Sequence, residues 1–252
     1  MVITSKSNER IKRLASLKEK KYRTEFGEYI VEGFKMVKEA FFFKADVLAV
    51  VGTESGLNRL SADFSCDLSS FKGEVLTVSE EVFPKISDAV TPQGVIAVVK
   101  KSRIPSDKSR SVLLSGISDP GNMGTIIRTL SAVGIGRLYL VDCCDPYSPK
   151  ALRSSMSGIY CVDIVETDLI AALEDLKGIP LLVADMDGES VFEAEKVGNF
   201  CLVIGGEANG VGEEIRKRAD KILSVPMENS FESLNAGVSL GVILYELIFG
   251  KN

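Results

Sequence analysis

The sequence predicts an α/β fold with a parallel sheet covered by helices on both faces. Continuously apolar runs, such as residues 200–204, alternate with helical patterns, such as residues 213–219, through the second half of the chain. Apolar strands that lie between helices are typical of a parallel sheet buried on both faces. The 252 residues are 45% hydrophobic, which is enough to bury a large core in one large or two medium domains.

The first 23 residues form a basic segment. They contain eight Lys or Arg residues and two Glu residues, a balance of +6 in a chain with a total of −5, so the remainder carries about −11. This asymmetry indicates one anion-binding face. Ser7 is the predicted cap of a helix in which Ile11, Leu14 and Leu17 form a narrow apolar stripe. The cationic surface outside this stripe fits either a solvated helix or a helix that contacts a polyanion.

A small α/β unit follows. Its predicted strands are residues 29–31, 47–51, 75–78 and 95–99, and its predicted helices are residues 33–43 and 80–86. Residues 100–110 are polar, include Pro105 and lack apolar periodicity, which is typical of a linker. We therefore predict two domains, one over residues 1–104 and the other over residues 105–252.

The second domain continues the alternation. Its predicted strands are residues 112–114, 138–141, 161–165, 181–184, 200–204 and 222–225. A turn at residues 119–124 leads into a helix through Ala132, and later helices are predicted at residues 150–156, 169–176, 213–219 and 233–246. Gly, Glu, Ser and Asn follow the last two strands, at the edge where open α/β sheets bind ligands. We predict the functional site there.

Composition and motifs disfavour several classes of protein. The glycine-rich residues 205–210 lack the G-x-G-x-x-G order of dinucleotide-binding folds, and no G-K-[ST] follows as in a P-loop. Histidine is absent, and a disulfide framework or metal site is not expected because C-x-x-C spacing is missing among Cys66, Cys143, Cys144, Cys161 and Cys201. No signal-peptide pattern and no apolar run of ~18 residues occur, so we expect a cytoplasmic protein that does not span a membrane.

Three motifs occur in order between residues 112 and 247. They are Asp119-Pro-Gly-Asn-Met-Gly-Thr-Ile-Ile-Arg128, Val203-Ile-Gly-Gly-Glu207, and Val225-Pro-Met with Ser233-Leu-Asn235. Their order and spacing resemble the SpoU/TrmH-type RNA ribose 2′-O-methyltransferases of the SPOUT superfamily. The resemblance implies a deep trefoil knot in the C-terminal domain, S-adenosylmethionine as cofactor, no metal, and a homodimer formed through the knotted domain. It also implies an RNA substrate, with rRNA favoured over tRNA.

The segment Val31-Glu-Gly-Phe-Lys-Met-Val-Lys-Glu-Ala40 resembles the start of the small domain that many members of this family carry before the catalytic domain. Such domains look like RNA-binding ribosomal proteins. The resemblance therefore implies that the N-terminal domain holds the RNA. With the charge asymmetry, it makes RNA-binding candidates of Lys12, Arg13, Lys20, Lys21 and Arg23.

The resemblance also implies roles for the motif residues. The expected catalytic group is Arg128, Asn122, Glu207, Ser233 and Asn235. The expected cofactor-binding group is Gly205, which would let the main chain approach the cofactor closely, and three residues lining its adenine side, Val225, Met227 and Leu234. Alternatives remain open: Asn122 fits a helix cap, the apolar residues fit an ordinary core, and the other polar residues fit capping or an ion pair with Arg128.

The implied methyl transfer needs alignment of the ribose hydroxyl and an acceptor for its proton. We expect Arg128 to bind an RNA phosphate and to stabilise the developing oxyanion, with Glu207 as the other candidate for the proton. Ser115 stands where the family frequently has an acidic residue, and Gly237 and Gly241 share a helix face that another helix could approach. The competing hypothesis is a non-catalytic RNA-binding or ribosome-assembly factor that keeps the fold.

Overall fold

The computed structural model describes residues 2–64, 68–195, 197–207, 210–228 and 233–250. Cys66 and two residues of the glycine-rich segment, Ala208 and Asn209, lie outside these ranges. The chain divides into two units. Unit 1 consists of Met1–Ser102 together with Tyr147–Leu152, and unit 2 consists of Arg103–Pro146 together with Arg153–Asn252.

Unit 1 is built on a mixed sheet. Its elements are β1 (Val2–Ile3), α1 (Glu9–Ser16), α2 (Lys20–Phe26), β2 (Glu28–Glu32), α3 (Phe34–Phe42), β3 (Val47–Gly52), α4 (Glu54–Phe64), β4 (Glu74–Val78), α5 (Phe83–Ile86) and β5 (Val95–Lys100). The strand order is β1-β4-β3-β5-β2; β5 runs antiparallel to β2 and β3, whereas β4 runs parallel to β1 and β3. The four predicted strands are confirmed, and α4 is an element that the sequence analysis missed.

The basic N-terminal segment forms α1 and α2. Helix α1 begins after Asn8, whose side chain accepts a hydrogen bond from the main-chain N–H of Arg10 at 2.9 Å, so the prediction of Ser7 as the cap was wrong. The apolar stripe of Ile11, Leu14 and Leu17 is buried as predicted. It packs in a core cluster with residues of α5 and of the sheet.

The C-terminal sheet is parallel throughout its described strands, as predicted. Its strands are β6 (Arg110–Ser115), β7 (Arg137–Val141), β8 (Asp163–Glu166), β9 (Leu181–Ser190), β10 (Phe200–Gly205) and β11 (Lys221–Ser224). They lie in the order β11-β9-β10-β6-β7-β8. The helices that follow β6 along the chain are α6 (Pro120–Val133), α7 (Pro149–Ser155), the 3₁₀ helix Met156–Tyr160, α8 (Leu169–Asp175), α9 (Glu213–Arg216) and α10 (Ala236–Phe249), of which α7 begins in unit 1 and ends in unit 2.

Helix α6 begins earlier than predicted. Residues 119–124 were predicted as a turn, but Asp119 is the N-cap and accepts a hydrogen bond from the main-chain N–H of Asn122 at 2.9 Å. Pro120 takes the first helical position, where its missing N–H costs nothing and its fixed φ suits a helix. The alternative role of Asn122 as the cap is therefore wrong, and its side chain is left for other contacts.

Helix α10 packs against α6 of the same chain. A Cβ atom on Gly237 would lie 3.4 Å from Cγ2 of Thr125, and one on Gly241 would lie 4.0 Å from Cγ2 of Thr129. The predicted close approach of another helix at these glycines is confirmed, but the approaching helix is α6. These two glycines therefore give no support to a contact between chains.

The predicted linker is held by a polar network within unit 2. Arg103 donates to both carboxylate oxygens of Asp163, at 2.7 and 2.9 Å, and Arg137 lies 3.2 Å from the same carboxylate. Asp163 is buried with 1% of its surface exposed. Lys108 donates to Oδ1 of Asp175 at 2.8 Å. Residues 103–108 are thus fixed along the amino-terminal ends of β7 and β8.

Candidate active site

A pocket of about 370 Å³ lies where the neighbouring strands β11, β9 and β10 end. Each predicted cofactor-binding residue lines it, namely Gly205, Val225, Met227 and Leu234. Two of the predicted catalytic residues, Glu207 and Ser233, line it as well. The structure therefore brings together residues from two of the three sequence motifs in one cavity at the carboxyl edge of the sheet.

The pocket is also lined by residues outside the predicted site. Ala184, Asp185 and Met186 line it, at the end of the predicted strand at residues 181–184 and directly after it. These residues could have been predicted only from their place at the end of a strand, because a residue just past a parallel strand lies at the ligand-binding edge. A carboxylate at that edge, in Asp185, was a candidate for that reason.

The main chain is unusually close at the glycines of this edge. A Cβ atom on Gly205 would lie 2.0 Å from the carbonyl carbon of Gly210, and one on Gly206 would lie 2.2 Å from the carbonyl oxygen of Gly116. Real Cβ atoms do not approach so closely, so both positions require glycine whether or not a ligand is bound. The expected reason for Gly205, approach of a cofactor, is thus not needed to explain this residue.

Asn122, Glu207 and Asn235 form a hydrogen-bonded cluster beside the pocket. The Asn122 amide Nδ2 donates to Glu207 Oε1 at 2.8 Å, and the Asn235 amide Nδ2 donates to Asn122 Oδ1 at 2.8 Å and to Glu207 Oε1 at 3.3 Å. Each residue belongs to a different sequence motif. The three motifs therefore converge on one carboxylate, and both amides direct donors towards it.

Asn235 has a second role as the N-cap of α10. Its Oδ1 accepts hydrogen bonds from the main-chain N–H groups of Gly237 at 3.0 Å and Val238 at 3.3 Å. The oxygen thus satisfies the first turn of the helix, while the nitrogen joins the cluster. Helix α10 begins at Ala236, three residues later than predicted, so Ser233 and Leu234 lie in the preceding segment that lines the pocket.

Arg128 does not join this cluster. Its side chain is exposed on α6, and in the described part of the chain no carboxylate or hydrogen-bond acceptor pairs with it. Its main chain is tightly packed instead, since a Cβ atom on Gly158 would lie 3.1 Å from the Arg128 Cα atom. The predicted alternative of an ion pair between Arg128 and Glu207 is absent from the described contacts, and the Arg128 side chain is exposed on α6.

The basic N-terminal residues differ in their burial and in whether they have a carboxylate partner. Arg13 donates to both carboxylate oxygens of Glu28, at 2.8 and 2.9 Å, and Lys12 donates to Oε1 of Glu9 at 2.7 Å. Arg23 is buried and donates from Nη1 to the carbonyl oxygen of Leu17 at 2.7 Å. The expectation that Arg23 contacts RNA is therefore corrected, because its guanidinium is buried and bonded to the main chain of the protein.

Lys20 and Lys21 are the members of the predicted set that have no carboxylate partner among the described residues. Both are exposed at the start of α2, and within the described ranges neither is paired with a carboxylate. The Lys21 ammonium lies 5.4 Å from the centre of the Tyr22 ring. An aromatic ring beside unpaired cations is a surface on which RNA could be bound through both phosphate and base.

Three cysteines, Cys143, Cys144 and Cys201, are not activated thiols. Burial raises the pKa of the Cys201 thiol to about 12 and that of Cys144 to about 11, and it also raises the pKa of Cys143. In the described residues no cluster of His, Cys, Asp or Glu could hold a metal ion. Over the same residues, none of the helices has the length and apolarity that crossing a membrane requires.

Comparison with known proteins extends these observations. Residues 109–245, more than half of the chain, match the SpoU rRNA Methylase family, and residues 8–97 match the MRM3-like substrate binding domain. The 23S rRNA (guanosine(2553)-2′-O)-methyltransferase RlmP of Bacillus subtilis (strain 168) is 29% identical over 250 residues, covering 97% of this chain and 98% of RlmP.

Two solved structures have the same fold along nearly the whole chain. The SpoU methyltransferase AviRb from Streptomyces viridochromogenes, in complex with the cofactor AdoMet, has a TM-score of 0.85 at 27% identity, covering 96% of this chain and 97% of AviRb. The AdoMet-bound rRNA methyltransferase from Sinorhizobium meliloti has a TM-score of 0.86 at 25% identity, covering 98% and 97%. Both units of the chain are therefore matched.

Proposed function

Because the chain belongs to the SpoU rRNA methylase family, we propose that it transfers a methyl group from S-adenosylmethionine to a ribose 2′-hydroxyl of RNA. The observation that carries this proposal is the cluster of Asn122, Glu207 and Asn235, which adjoins the pocket at the strand ends. We propose rRNA in preference to tRNA as the substrate, since the Bacillus subtilis relative is named for 23S rRNA.

The pocket fits S-adenosylmethionine in size and chemistry. Its volume of about 370 Å³ falls in the range of small-molecule sites. Val225, Met227 and Leu234 offer an apolar surface for the adenine ring, while Glu207 and Ser233 supply polar groups. When bound, S-adenosylmethionine supplies a methyl group activated by the positive charge on its sulfur. The protein must then bind the cofactor, align the ribose 2′-hydroxyl with the methyl group and accept the proton of that hydroxyl.

Arg128 and Glu207 are the residues that we assign to the substrate. The Arg128 guanidinium is exposed and unpaired in the described chain, so it is available to an RNA phosphate next to the reacting ribose. A fixed cation in that position stabilises negative charge developing on the 2′ oxygen. Glu207 is held at Oε1 by two amides, and its other oxygen can accept a proton. We give Arg128 the leading role.

We propose that residues 1–104 bind the RNA and that residues 105–252 carry out the transfer. The match of residues 8–97 to a substrate binding domain supports the first part, and the match of residues 109–245 supports the second. Lys20 and Lys21 are the cations that we assign to RNA phosphates, with Lys12 and Arg13 as weaker contributors because each already has a carboxylate partner. We place the protein in the cytoplasm, where its proposed substrate lies.

We further propose a trefoil knot in the C-terminal domain and a homodimer formed through it. The outer side of α10 supports the dimer. Val238, Val242, Tyr245 and Phe249 recur at spacings of four, three and four residues, which places them on one helix face. Three of them are at least half exposed, at 50%, 52% and 61% for Val238, Tyr245 and Phe249. A helix that is apolar on all sides is normally covered on all sides.

The enzyme hypothesis is tested by ligand binding and by mapping of methyl marks. Calorimetry with S-adenosylmethionine should give a measurable heat and a single site per chain. Ribose methylation should be lost at one position of the RNA from a strain lacking this protein, compared with its parent. A protein that binds RNA but gives no heat with S-adenosylmethionine would instead be the non-catalytic binding or assembly factor.

A further inference from the structure

Residues 184–188 form an excursion at the carboxyl end of β9. Val183 pairs with Ile222 of β11, and the next pair along the ladder is Glu189 with Leu223. Five residues thus intervene on β9 where none intervenes on β11. Ala184, Asp185 and Met186 in this excursion line the pocket and lie outside the three sequence motifs.

The excursion is anchored at its far end. A Cβ atom on Gly188 would lie 2.6 Å from the main-chain carbon and oxygen of Ile222, so the two strands touch there. The hydroxyl of Ser224 donates to the carbonyl oxygen of Gly188 at 2.9 Å. These contacts fix the wall in place, which is the condition for a side chain on it to act as a specific ligand contact.

Arg216 holds two carboxylates of the excursion in different surroundings. Its Nη1 donates to Oδ2 of Asp185 at 2.5 Å, and its Nη2 donates to Oδ2 of Asp187 at 3.1 Å. The side chain of Asp187 is 77% exposed, and Asp187 lies outside the pocket lining, whereas the side chain of Asp185 is 19% exposed and Asp185 is a lining residue. The same arginine therefore binds one carboxylate of a residue that lines the cavity and one that is exposed to solvent.

Asp185 keeps unused capacity for hydrogen bonds. Its Oδ2 accepts from Arg216, and its Oδ1 accepts from the main-chain N–H of Asp187 at 3.2 Å. Each carboxylate oxygen has two acceptor sites, so each can accept one further donor from inside the pocket. A pair of neighbouring hydroxyl groups matches two such acceptors on one carboxylate.

The charge around Asp185 indicates which part of the cofactor its carboxylate would bind. Two carboxylates line the pocket, and in the described contacts Glu207 is bonded by amides whereas Asp185 is bonded by a cation. Positively charged groups of the cofactor are therefore favoured near Glu207, which is not neutralised. The neutralised Asp185 suits an uncharged donor, and the ribose diol is the uncharged group with two adjacent donors.

We propose that Asp185 is a cofactor-binding residue whose carboxylate accepts hydrogen bonds from the 2′ and 3′ hydroxyls of the cofactor ribose, and that Arg216 positions it. This inference rests on the proposed cofactor. It adds a residue outside the three sequence motifs to the site, and it gives the ion pair of Arg216 with Asp185 a function in ligand recognition.

The test is calorimetry on the full chain with three ligands: S-adenosylhomocysteine, 5′-methylthioadenosine, and the 2′,3′-dideoxy form of the latter. Asp185→Asn should lower the affinity for S-adenosylhomocysteine and for 5′-methylthioadenosine by about 10-fold or more, which corresponds to about 1.4 kcal/mol. Asp187→Asn is the matched control, because it also removes a bond to Arg216 but lies outside the pocket, and it should change either affinity by less than about 2-fold.

The dideoxy ligand tests the proposal on the unsubstituted protein, so the outcome does not depend on how a variant folds. It should bind about 10-fold more weakly than 5′-methylthioadenosine, and Asp185→Asn should leave its affinity unchanged. A loss for S-adenosylhomocysteine without a loss for 5′-methylthioadenosine would overturn the assignment in favour of the amino-acid part of the cofactor. If Asp185→Asn lowers the affinity for the dideoxy ligand as much as that for 5′-methylthioadenosine, the assignment to the ribose would be overturned in favour of a contact with the adenine. An unsubstituted protein that binds none of them would overturn the proposed cofactor itself.

Discussion

The Asn122 amide lies 2.8 Å from Glu207 Oε1, although 85 residues separate them in the sequence. Asn122 is in the first turn of α6, and Glu207 follows β10, so the hydrogen bond joins a helix to the end of a strand across the sheet edge. Asn235 closes the group from the start of α10. The orientation of one carboxylate is therefore set by two other segments of the chain.

Removal of the first donor should affect the reaction more than the fold. Asn122→Ala takes one hydrogen bond from Glu207 and one from Asn235, and it leaves the capping contact of Asp119 intact because that bond uses the main-chain N–H. We expect methyl transfer to fall by about 10²-fold, as a small misplacement of a catalytic group typically does. Binding of S-adenosylmethionine, measured by calorimetry, should stay within about 2-fold, and a loss of binding would show that Asn122 shapes the pocket.

Arg128→Ala should lower methyl transfer by about 10² to 10³-fold and leave cofactor binding unchanged. Because the side chain is exposed and unpaired in the described chain, the melting temperature should hardly move. Arg128→Lys should recover little, since an ammonium cannot reproduce the planar fork of donors. The comparison variant is Glu207→Gln: near-normal transfer by Arg128→Ala with none by Glu207→Gln would make Glu207 the principal group.

Lys20 and Lys21 should contribute more to RNA affinity than Lys12 and Arg13. The double change Lys20→Ala with Lys21→Ala removes cations that have no carboxylate partner in the described chain. Each phosphate that is no longer neutralised lowers the salt slope of the logarithm of the affinity by roughly 0.7 to 0.9. The matched control, Lys12→Ala with Arg13→Ala, removes cations already paired with Glu9 and Glu28. Equal slopes for the two double variants would place the RNA-binding surface elsewhere.

Asp163 should make folding stability sensitive to acid. Burial favours its neutral form, but hydrogen bonds from Arg103 and the charges of Arg103 and Arg137 outweigh burial and lower its pKa. A carboxyl group whose pKa is lower in the folded chain stabilises the fold above its unfolded pKa of about 3.9, and this contribution is lost as the pH falls through the folded value.

Asp163→Asn should therefore reduce the free energy of unfolding by about 2 kcal/mol at pH 7, because it weakens charge-assisted hydrogen bonds from Arg103, whose side chain is itself largely exposed. The difference from the unsubstituted protein should shrink below about pH 4. Urea unfolding at the two pH values measures both quantities, and Asp46→Asn at an exposed site serves as the control. A difference that is the same at both pH values would show that the charge of Asp163 does not stabilise the fold.

Tyr245→Glu with Phe249→Glu should convert the proposed dimer into monomers, because it places two charges on the apolar outer face of α10. Sedimentation velocity measures the change directly. Ile170→Glu is the matched control, since Ile170 is 71% exposed on α8 and lies outside that face. An unsubstituted protein that sediments as a monomer would contradict the proposed dimer.

The sequence indicated the parallel sheet and the edge at which the pocket lies because both depend on local patterns. Apolar runs identified the buried strands, and glycine and polar residues after them identified the ligand edge. The start of α6 was equally readable, since Asp119 followed by Pro120 is a typical cap and first-turn pair, yet the glycine and asparagine that follow were interpreted as a turn. Helix α4 was missed because Gly56, Asn58 and Ser61 weaken its apolar pattern.

Other features depend on contacts between distant segments and could not be predicted from the sequence. The burial of Arg23 follows from the carbonyl of Leu17 lying within reach, which charge counting does not reveal. The requirement for glycine at 205 arises from the main chain at Gly210 folding back onto it. Asp185 entered the site through the excursion of β9, a register shift that only the pairing of β9 with β11 defines.

The inclusion of Tyr147–Leu152 in unit 1 has a consequence for folding during synthesis. The Tyr147 ring contacts the ring of Tyr29 at 4.8 Å between centres, and the Lys101 ammonium lies 4.4 Å from the same ring. The N-terminal unit therefore acquires its last piece only after the chain as far as Leu152 has left the ribosome, well beyond Ser102. Emergence of the two units from the exit tunnel overlaps in time, and a nascent chain stalled at the linker holds an N-terminal unit that is still unfinished.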